Sequence, residues 1–270
     1  MASIDGALLD FKRLDRLAMG DTVIHRLDPR AKVAATLAFI IAVVSFGRYE
    51  LTGIAPFFLF PVAMAALGNL PPGYIVKKIV LLCPVILMVG VCNPFFDRAV
   101  LVQFGPFGIT GGVVSFASIV AKGVLTVGAA IVLAGVTGFP DICRTLECFG
   151  MPRAFVVQLL FLYRYIFVLA DEGIRVSRAR ELRSFDGKGP GMKTFGSMLG
   201  HLLLRTWMRA ERIHMAMLSR GFTGEFHTRR NFHFGARETF FLLVSITMFV
   251  TFRLHNASLL LGGLVTGLFP

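Results

Sequence analysis

The sequence predicts an all-α polytopic membrane protein, and three observations carry that prediction. Apolar residues make up 55% of the 270 residues, and the mean hydropathy is +0.71. Long stretches lack charge: Leu51–Leu70 and Ile79–Phe96 have no charged residue, and Ala99–Pro140 has only Lys122. Runs of about 18 to 20 apolar residues match a hydrocarbon core of roughly 30 Å. These runs also lack the alternation of a barrel strand, so helices must satisfy the backbone in lipid.

Residues 1–140 are predicted to form the N-terminal group of transmembrane helices. The first helix begins in the segment GDTVIHRLDPRAKV, where an aspartate can cap the free N–H groups and proline suits the first turn. We expect Arg30 and Lys32 at the membrane edge. The candidate membrane-entry motif consists of His25, Asp28, Pro29 and Arg30.

Turn residues divide the apolar N-terminal part into four crossings. The sequence Asn69-Leu70-Pro71-Pro72-Gly73 ends the second helix, and Asn93-Pro94 ends the third. Residues 93–111 are expected to form an external loop. The predicted helices cover about 30–47, 51–69, 76–92 and 113–137.

Residues 141–237 are predicted to form interfacial and cytoplasmic helices. Asp141–Arg237 holds 16 Lys/Arg against 8 Asp/Glu, which is 8 of the net charge of +12. Positive charge beside membrane segments marks the cytoplasmic side. Four crossings already return the chain there, so a crossing by Ala154–Ala170 would place the basic block outside. We therefore expect Ala154–Ala170 to lie along the membrane interface.

Two polar helices are expected after this interfacial segment. The first covers Asp171–Phe185, and a Gly-rich hinge at Asp186–Gly191 follows it. The second covers Met192–Arg220 and is terminated by Gly221. It has two distinct faces at helical spacing. One face carries Leu204, Met208, Met215 and Leu218, and the other carries Arg205, Arg209, Arg212 and Arg220.

Residues 238–270 are predicted to form a C-terminal membrane segment. Glu238–Phe252 begins a membrane helix, and the apolar tail 257–270 follows a polar interruption. The sequence leaves open whether this tail crosses the membrane.

The polar helices have three competing interpretations. They could lie on anionic headgroups, form a catalytic site, or dock into a groove of a soluble partner. No phosphate loop, HExxH or GxSxG motif supports catalysis, and no nucleic-acid-binding signature is present. Each polar helix has an arginine among small residues, at Ala179-Arg180 and at Ser219-Arg220-Gly221. That pattern favours docking, because small neighbours admit another backbone and arginine reaches acidic groups.

The histidines, the cysteines and Lys122 give only weak indications of a functional site. His227 and His233 stand beside two arginines, which disfavours a divalent cation, and the cysteines lack a paired zinc pattern. We therefore expect no metal site and no cofactor. Lys122 could line a pathway, or it could equally snorkel or pair inside the bundle.

The segments GDTVIHRLDPRAKV, SRARELRSF and MAMLSRGFTGEF together resemble the T component of energy-coupling-factor transporters, in the cobalt/nickel-type branch called CbiQ. The resemblance covers nearly the whole chain. The family has two Ala-Arg-Gly-like signatures near the ends of its coupling helices. The second corresponds to Ser219-Arg220-Gly221, with serine for alanine. The first corresponds to Ala179-Arg180-Glu181, where glutamate replaces glycine.

The resemblance implies a non-catalytic scaffold in the cell inner (plasma) membrane. Such a subunit joins two ABC-type ATPase subunits to a small membrane protein, the S component, which binds the substrate. Arg180 and Arg220 would lie in the ATPase grooves, with Ala179, Ser219 and Gly221 beside them. A self-contained secondary transporter or channel is the alternative, although we find no internal repeat of the kind common in that class.

Overall fold

The computed structural model describes residues 13–47, 50–91, 100–104, 107–182, 192–224 and 234–254. The side chains of the strand residues and of residues 192–194 are outside this description. Three predicted features also lie outside the described residues: the hinge at Asp186–Gly191, the histidines His227, His233 and His255, and the tail 257–270.

The described elements are helices joined by short connections, with one small hairpin. Residues 13–18 are also helical. In chain order the elements are α1 (Val23–Arg26), α2 (Pro29–Val44), α3 (Leu51–Ile54), a 3₁₀ turn (Ala55–Phe58), α4 (Leu59–Leu67), α5 (Pro72–Val91), β1 (Val100–Phe104), β2 (Phe107–Thr110), α6 (Gly111–Thr137), α7 (Phe139–Cys148), α8 (Arg153–Glu181), α9 (Met192–Leu218) and α10 (Ala236–Leu254).

The described chain divides into two compact units. One contains residues 15–138 together with residues 234–254, and the other contains residues 139–224. The last described helix, α10, therefore packs in the same unit as the N-terminal helices, and it contacts α2.

A cluster of phenylalanines forms the core of the unit that contains α2 and α10. Phe39 on α2 stacks on Phe60 on α4, with ring centroids 4.9 Å apart, and lies 5.5 Å from Phe249 on α10. Phe57 from the 3₁₀ turn is fully buried and lies 5.2 Å from Phe46. Aromatic pairs at these separations add to the stabilisation from burial. This cluster fixes α10, the last described helix, to α2.

Glycines allow α5 and α6 to approach closely. A Cβ on Gly123 would lie 2.7 Å from the Ile86 side chain, and one on Gly90 would lie 2.9 Å from Phe116. Small residues have this function at helix contacts within membranes, where close backbone packing replaces a hydrophobic driving force.

Lys122 on α6 has a structural partner. Its ammonium donates to the carbonyl oxygens of Phe46 at 2.6 Å and Gly47 at 3.2 Å, just beyond the end of α2. Arg253 on α10 donates to the Ser45 carbonyl oxygen at 3.2 Å. Cations at a helix C-terminus satisfy carbonyl groups that have no partner within the helix. Of the interpretations left open for Lys122, pairing inside the bundle is the one for which the structure shows contacts.

The second unit consists of α7, α8 and α9. Helix α8 contacts both of the other helices. Phe139 at the start of α7 stacks on Tyr163 of α8, with ring centroids 5.0 Å apart. The candidate docking helices therefore belong to one compact unit.

The four predicted N-terminal helices are observed, but the second is interrupted. Residues 51–67 form two short helices separated by the 3₁₀ turn. Pro56 lies inside that turn, and Pro61 follows shortly after it. Proline lacks an N–H group and clashes with the preceding turn, which accounts for the interruption.

Two predictions about element boundaries are wrong. Residues 100–104 and 107–110 pair as an antiparallel hairpin within the segment predicted to be a loop. Helix α8 runs without a break across the expected boundary at Asp171. The chain becomes more polar at Asp171, but no proline or turn sequence follows, so the backbone hydrogen bonds continue.

Three helices of the described chain are long and apolar enough to cross a membrane, namely α5, α6 and α8. Helix α2 has 16 residues and residues 51–67 form a shorter apolar segment. The apolar half of α8 was expected to lie along the interface, and that placement stays a prediction.

Candidate functional site

The first candidate arginine, Arg180, lies in the last turn of α8 and is half-buried. Its guanidinium donates to the sulfur of Met198 on α9 at 3.5 Å. Ala179 and Glu181 beside it are exposed. A thioether is a weak acceptor, so a carboxylate from another subunit could replace it at little cost.

The second candidate arginine, Arg220, is exposed at the C-terminus of α9. The amide of Phe222 donates to the Met217 carbonyl oxygen, and the amide of Gly221 donates to that of Leu218. This pair of bonds is the Schellman motif, with Arg220 as the C-cap residue. Gly221 has a φ of 79°, in the left-handed region. Ser219 donates to the Met215 carbonyl oxygen at 2.9 Å.

The structure places the two arginines at opposite ends of α9. Arg180 contacts Met198 near the start of this helix, and Arg220 follows its last turn. Arg220 is 22 positions after Met198, which corresponds to about 33 Å along the helix at roughly 1.5 Å per residue. The two arginines are therefore separate points, and one compact groove could not hold both.

The two faces of α9 meet different surroundings. Leu204, Met208, Met215 and Leu218 are exposed, so the apolar stripe does not pack against the rest of the described chain. Arg205, Arg209 and Arg212 line a crevice between α8 and α9. Arg205 forms an ion pair with Glu172 of α8. This orientation is the reverse of a soluble amphipathic helix, and it suits an apolar environment outside the helix pair.

The membrane-entry motif forms the start of α2. The Asp28 side chain is buried and accepts a hydrogen bond from the Arg30 amide at 2.8 Å, with Pro29 as the first helical residue. His25 donates to the Leu17 carbonyl oxygen at 2.9 Å, and its other ring nitrogen accepts from Thr22. Burial is the main cause that lowers the pKa of His25, so the ring is held neutral.

Lys32 is buried within the protein, and its expected position at the membrane edge stays a prediction. Only 1% of the residue is exposed, and its ammonium lies 3.4 Å from the Val136 carbonyl oxygen. That oxygen belongs to the C-terminal end of α6, where partial negative charge accumulates. The sequence held a signal for this burial, because Lys32, Thr36, Phe39 and Val43 recur at the spacing of one buried helix face.

Metal-binding residues do not cluster in the described part of the chain, where no group of three His, Cys, Asp or Glu side chains could hold an ion. Cys83, Cys143 and Cys148 are free thiols. Burial raises the pKa of the Cys143 thiol to about 11. A thiol with this pKa is protonated at neutral pH and is a poor ligand and nucleophile.

Gly221→Ala is expected to destabilise the tip of α9 by about 1 kcal/mol, because a Cβ disfavours the left-handed conformation. Gly196 is the matched control. It lies inside the same helix with open space around its Cα, so Gly196→Ala should stabilise α9 by about 0.5–1 kcal/mol. Hydrogen exchange of the Gly221 and Phe222 amides would measure the effect. Unchanged exchange in Gly221→Ala would show that the glycine conformation is not needed.

The membrane-length helices and the helix pair α8–α9 define a multi-pass α-helical membrane protein with a basic helical hairpin. Comparison with known protein families identifies one family. The CbiQ family, described as cobalt transport protein, matches residues 20–233. The chain belongs to this family.

Relatives with related names are similar over most of their length. The energy-coupling factor transporter transmembrane protein EcfT of Thermosediminibacter oceani is 26% identical over 219 residues, covering 76% of this chain and 82% of the relative. EcfT of Listeria innocua is 28% identical over 226 residues, covering 78% of this chain and 84% of the relative. The cobalt transport protein CbiQ of Salmonella typhimurium is 27% identical over 130 residues, covering 47% of this chain and 58% of the relative.

Proposed function

We propose that this chain is the transmembrane coupling subunit of an energy-coupling-factor ABC importer for cobalt or nickel. It links ATP-driven motion of two ATPase subunits to a small membrane S component that binds the substrate. The chain itself is non-catalytic, because ATP hydrolysis belongs to the ATPase subunits. Membership of the cobalt transport protein family and the names of the EcfT relatives support this proposal.

The observation that carries the coupling role is the position of the two arginines. Arg180 and Arg220 lie at opposite ends of α9 and each has a small or flexible neighbour. Each arginine can enter the groove of one ATPase subunit and pair with an acidic group there. Closure of the two ATPase subunits on ATP would then move both ends of the hairpin. A relative movement of α8 and α9 would reach the S component through the exposed apolar stripe of α9.

Co-purification tests the proposal directly. The tagged full chain, expressed with an ABC-type ATPase pair and an S-type protein from the same organism, is expected to recover both partners from detergent-solubilised membranes. Cobalt uptake should require the ATPase. A chain that transports cobalt in proteoliposomes without any partner would contradict the proposal and support the self-contained transporter.

The sidedness of the hairpin is a separate expectation. The basic segment Asp171–Arg237 should be cytoplasmic, because positive charge is retained on that side. Single cysteines at Ser184 or Gly189, in a cysteine-free chain, should resist a membrane-impermeant reagent added to intact cells. Labelling should appear after the cells are permeabilised. Strong labelling of intact cells would exclude contact with cytoplasmic ATPases.

A further inference from the structure

The crevice between α8 and α9 has a volume of about 610 Å³. This lies within the range of roughly 300–1,000 Å³ that is usual for small-molecule sites. The two helices touch directly where Arg180 meets Met198 and where Arg205 meets Glu172. The crevice extends from that second contact toward the start of α8 and the tip of α9.

The wall of the crevice is mainly apolar. Helix α8 contributes Phe161, Leu162 and Leu169, and α9 contributes Ile213 and Met217. Gln158, Thr206 and His214 also line the crevice. A hydrocarbon chain would gain most by lying against the apolar part of the wall.

Three arginines of α9, Arg205, Arg209 and Arg212, also line the crevice. Arg205 is engaged, because Glu172 accepts hydrogen bonds from it and from Arg175. Arg212 donates its Nε to the Met208 carbonyl oxygen at 3.2 Å, and its two terminal nitrogens make no hydrogen bond with the residues that the structure describes. Arg209 makes no hydrogen bond or ion pair with any residue that the structure describes. Arg209 and Arg212 are three residues apart and therefore neighbours on the helix surface.

We propose that the crevice binds one anionic phospholipid. Its phosphate lies between the guanidinium groups of Arg209 and Arg212, which suit bidentate recognition of phosphate oxygens. One acyl chain lies against Phe161, Leu162 and Ile213. An apolar helix from another protein would leave the two guanidinium groups unmatched, and free phosphate would leave the apolar wall empty. An amphiphile with both parts satisfies the whole crevice.

This site goes beyond the coupling role and does not depend on it. Arg209 and Arg212 line the crevice, whereas Arg180 and Arg220 lie at the two ends of the hairpin. A bound lipid would fill the space between α8 and α9 and hold them at a fixed separation. Loss of the lipid and loss of ATPase binding are therefore separable by mutation.

The test measures lipid binding to the purified full chain. Native mass spectrometry in detergent should show one phosphatidylglycerol retained per chain, and phosphatidylcholine should bind more weakly. Arg209→Gln combined with Arg212→Gln should weaken the binding of phosphatidylglycerol roughly 25-fold, from about fivefold for each arginine near a lipid headgroup.

Two further variants control for charge and for folding. The pair Arg164→Gln and Arg178→Gln removes the same charge from exposed positions of α8 outside the crevice and should leave binding unchanged. Ala210→Trp fills the crevice without changing the charge and should also abolish retention of the lipid. Thermal unfolding of each variant separates loss of the site from loss of the fold.

Several results would overturn the proposal. Equal weakening by both arginine pairs would mean diffuse adsorption to the surface rather than a site. Binding of inorganic phosphate with the affinity of phosphatidylglycerol would mean that the acyl chain contributes nothing. A photo-crosslinking residue at Ala210 should capture lipid in native membranes. Capture of a polypeptide instead would identify a protein as the occupant.

Discussion

Replacing Arg220 by glutamate is expected to abolish substrate uptake and to reduce recovery of the ATPase subunits. Arg220 is exposed at the tip of α9, where it is the C-cap residue of the Schellman turn. Removing one partner of a buried, hydrogen-bonded charge pair costs about 2–5 kcal/mol, because the other charge is left unpaired. Reversal of the charge adds repulsion. Arg220→Lys should retain part of the function, since lysine keeps the charge but loses the planar guanidinium.

Arg180→Glu is expected to behave like Arg220→Glu, and Arg178→Glu is the matched control. Arg178 is exposed on the same helix. It is two residues before Arg180, so at 3.6 residues per turn it lies about 200° around the helix axis from Arg180. Recovery of ATPase subunits and cobalt uptake would be measured for each variant. Equal, mild losses at all three positions would contradict the coupling role and favour a hairpin that lies on anionic lipid.

Lys32→Met is expected to lower the free energy of unfolding by about 1.5–3 kcal/mol, the usual contribution of a hydrogen bond from a charged group. Methionine keeps the length of the apolar stem but leaves the Val136 carbonyl oxygen without the Lys32 ammonium. Because Lys32 is buried, water cannot replace the lost donor. The apparent Tm of the full chain in detergent would report the change.

Lys77→Met provides the control for Lys32→Met. Lys77 is exposed near the start of α5, so its loss should change the Tm little. An equal fall in Tm for both variants would show that the Lys32 effect arises from net charge. No fall for Lys32→Met would show that the contact with the end of α6 does not stabilise the fold.

The sequence by itself determined where most helices lie and how α9 ends. The lengths of the uncharged runs predicted α5 and α6 within a few residues, because crossing a bilayer sets a minimum length for each apolar segment. The stop at Gly221 was also predictable, since glycine readily adopts the left-handed conformation that closes a helix. These features depend on residues that are close together in the chain.

The sequence was less informative about boundaries without a turn residue. The predicted end of the apolar segment at Ala170 followed a change in polarity, and the structure shows one helix across it. Polarity reports the surroundings of side chains, whereas a helix ends only where its backbone hydrogen bonds end. The sequence also could not show which face of α9 lies toward α8, for a related reason. Periodicity shows that two faces exist but does not show which neighbour each one meets.

Only the tertiary structure decided what the isolated cations do. Lys32 meets a carbonyl oxygen 104 positions away, and Lys122 meets one 76 positions away. Both lysines satisfy the C-terminal end of a helix distant in sequence, and neither partner carries a side-chain signal, because each acceptor is a backbone oxygen. The crevice beside Arg209 and Arg212 likewise exists only because α8 packs against α9. Contacts between distant backbone and side-chain groups follow from helix packing, and local sequence patterns do not encode which helices will meet.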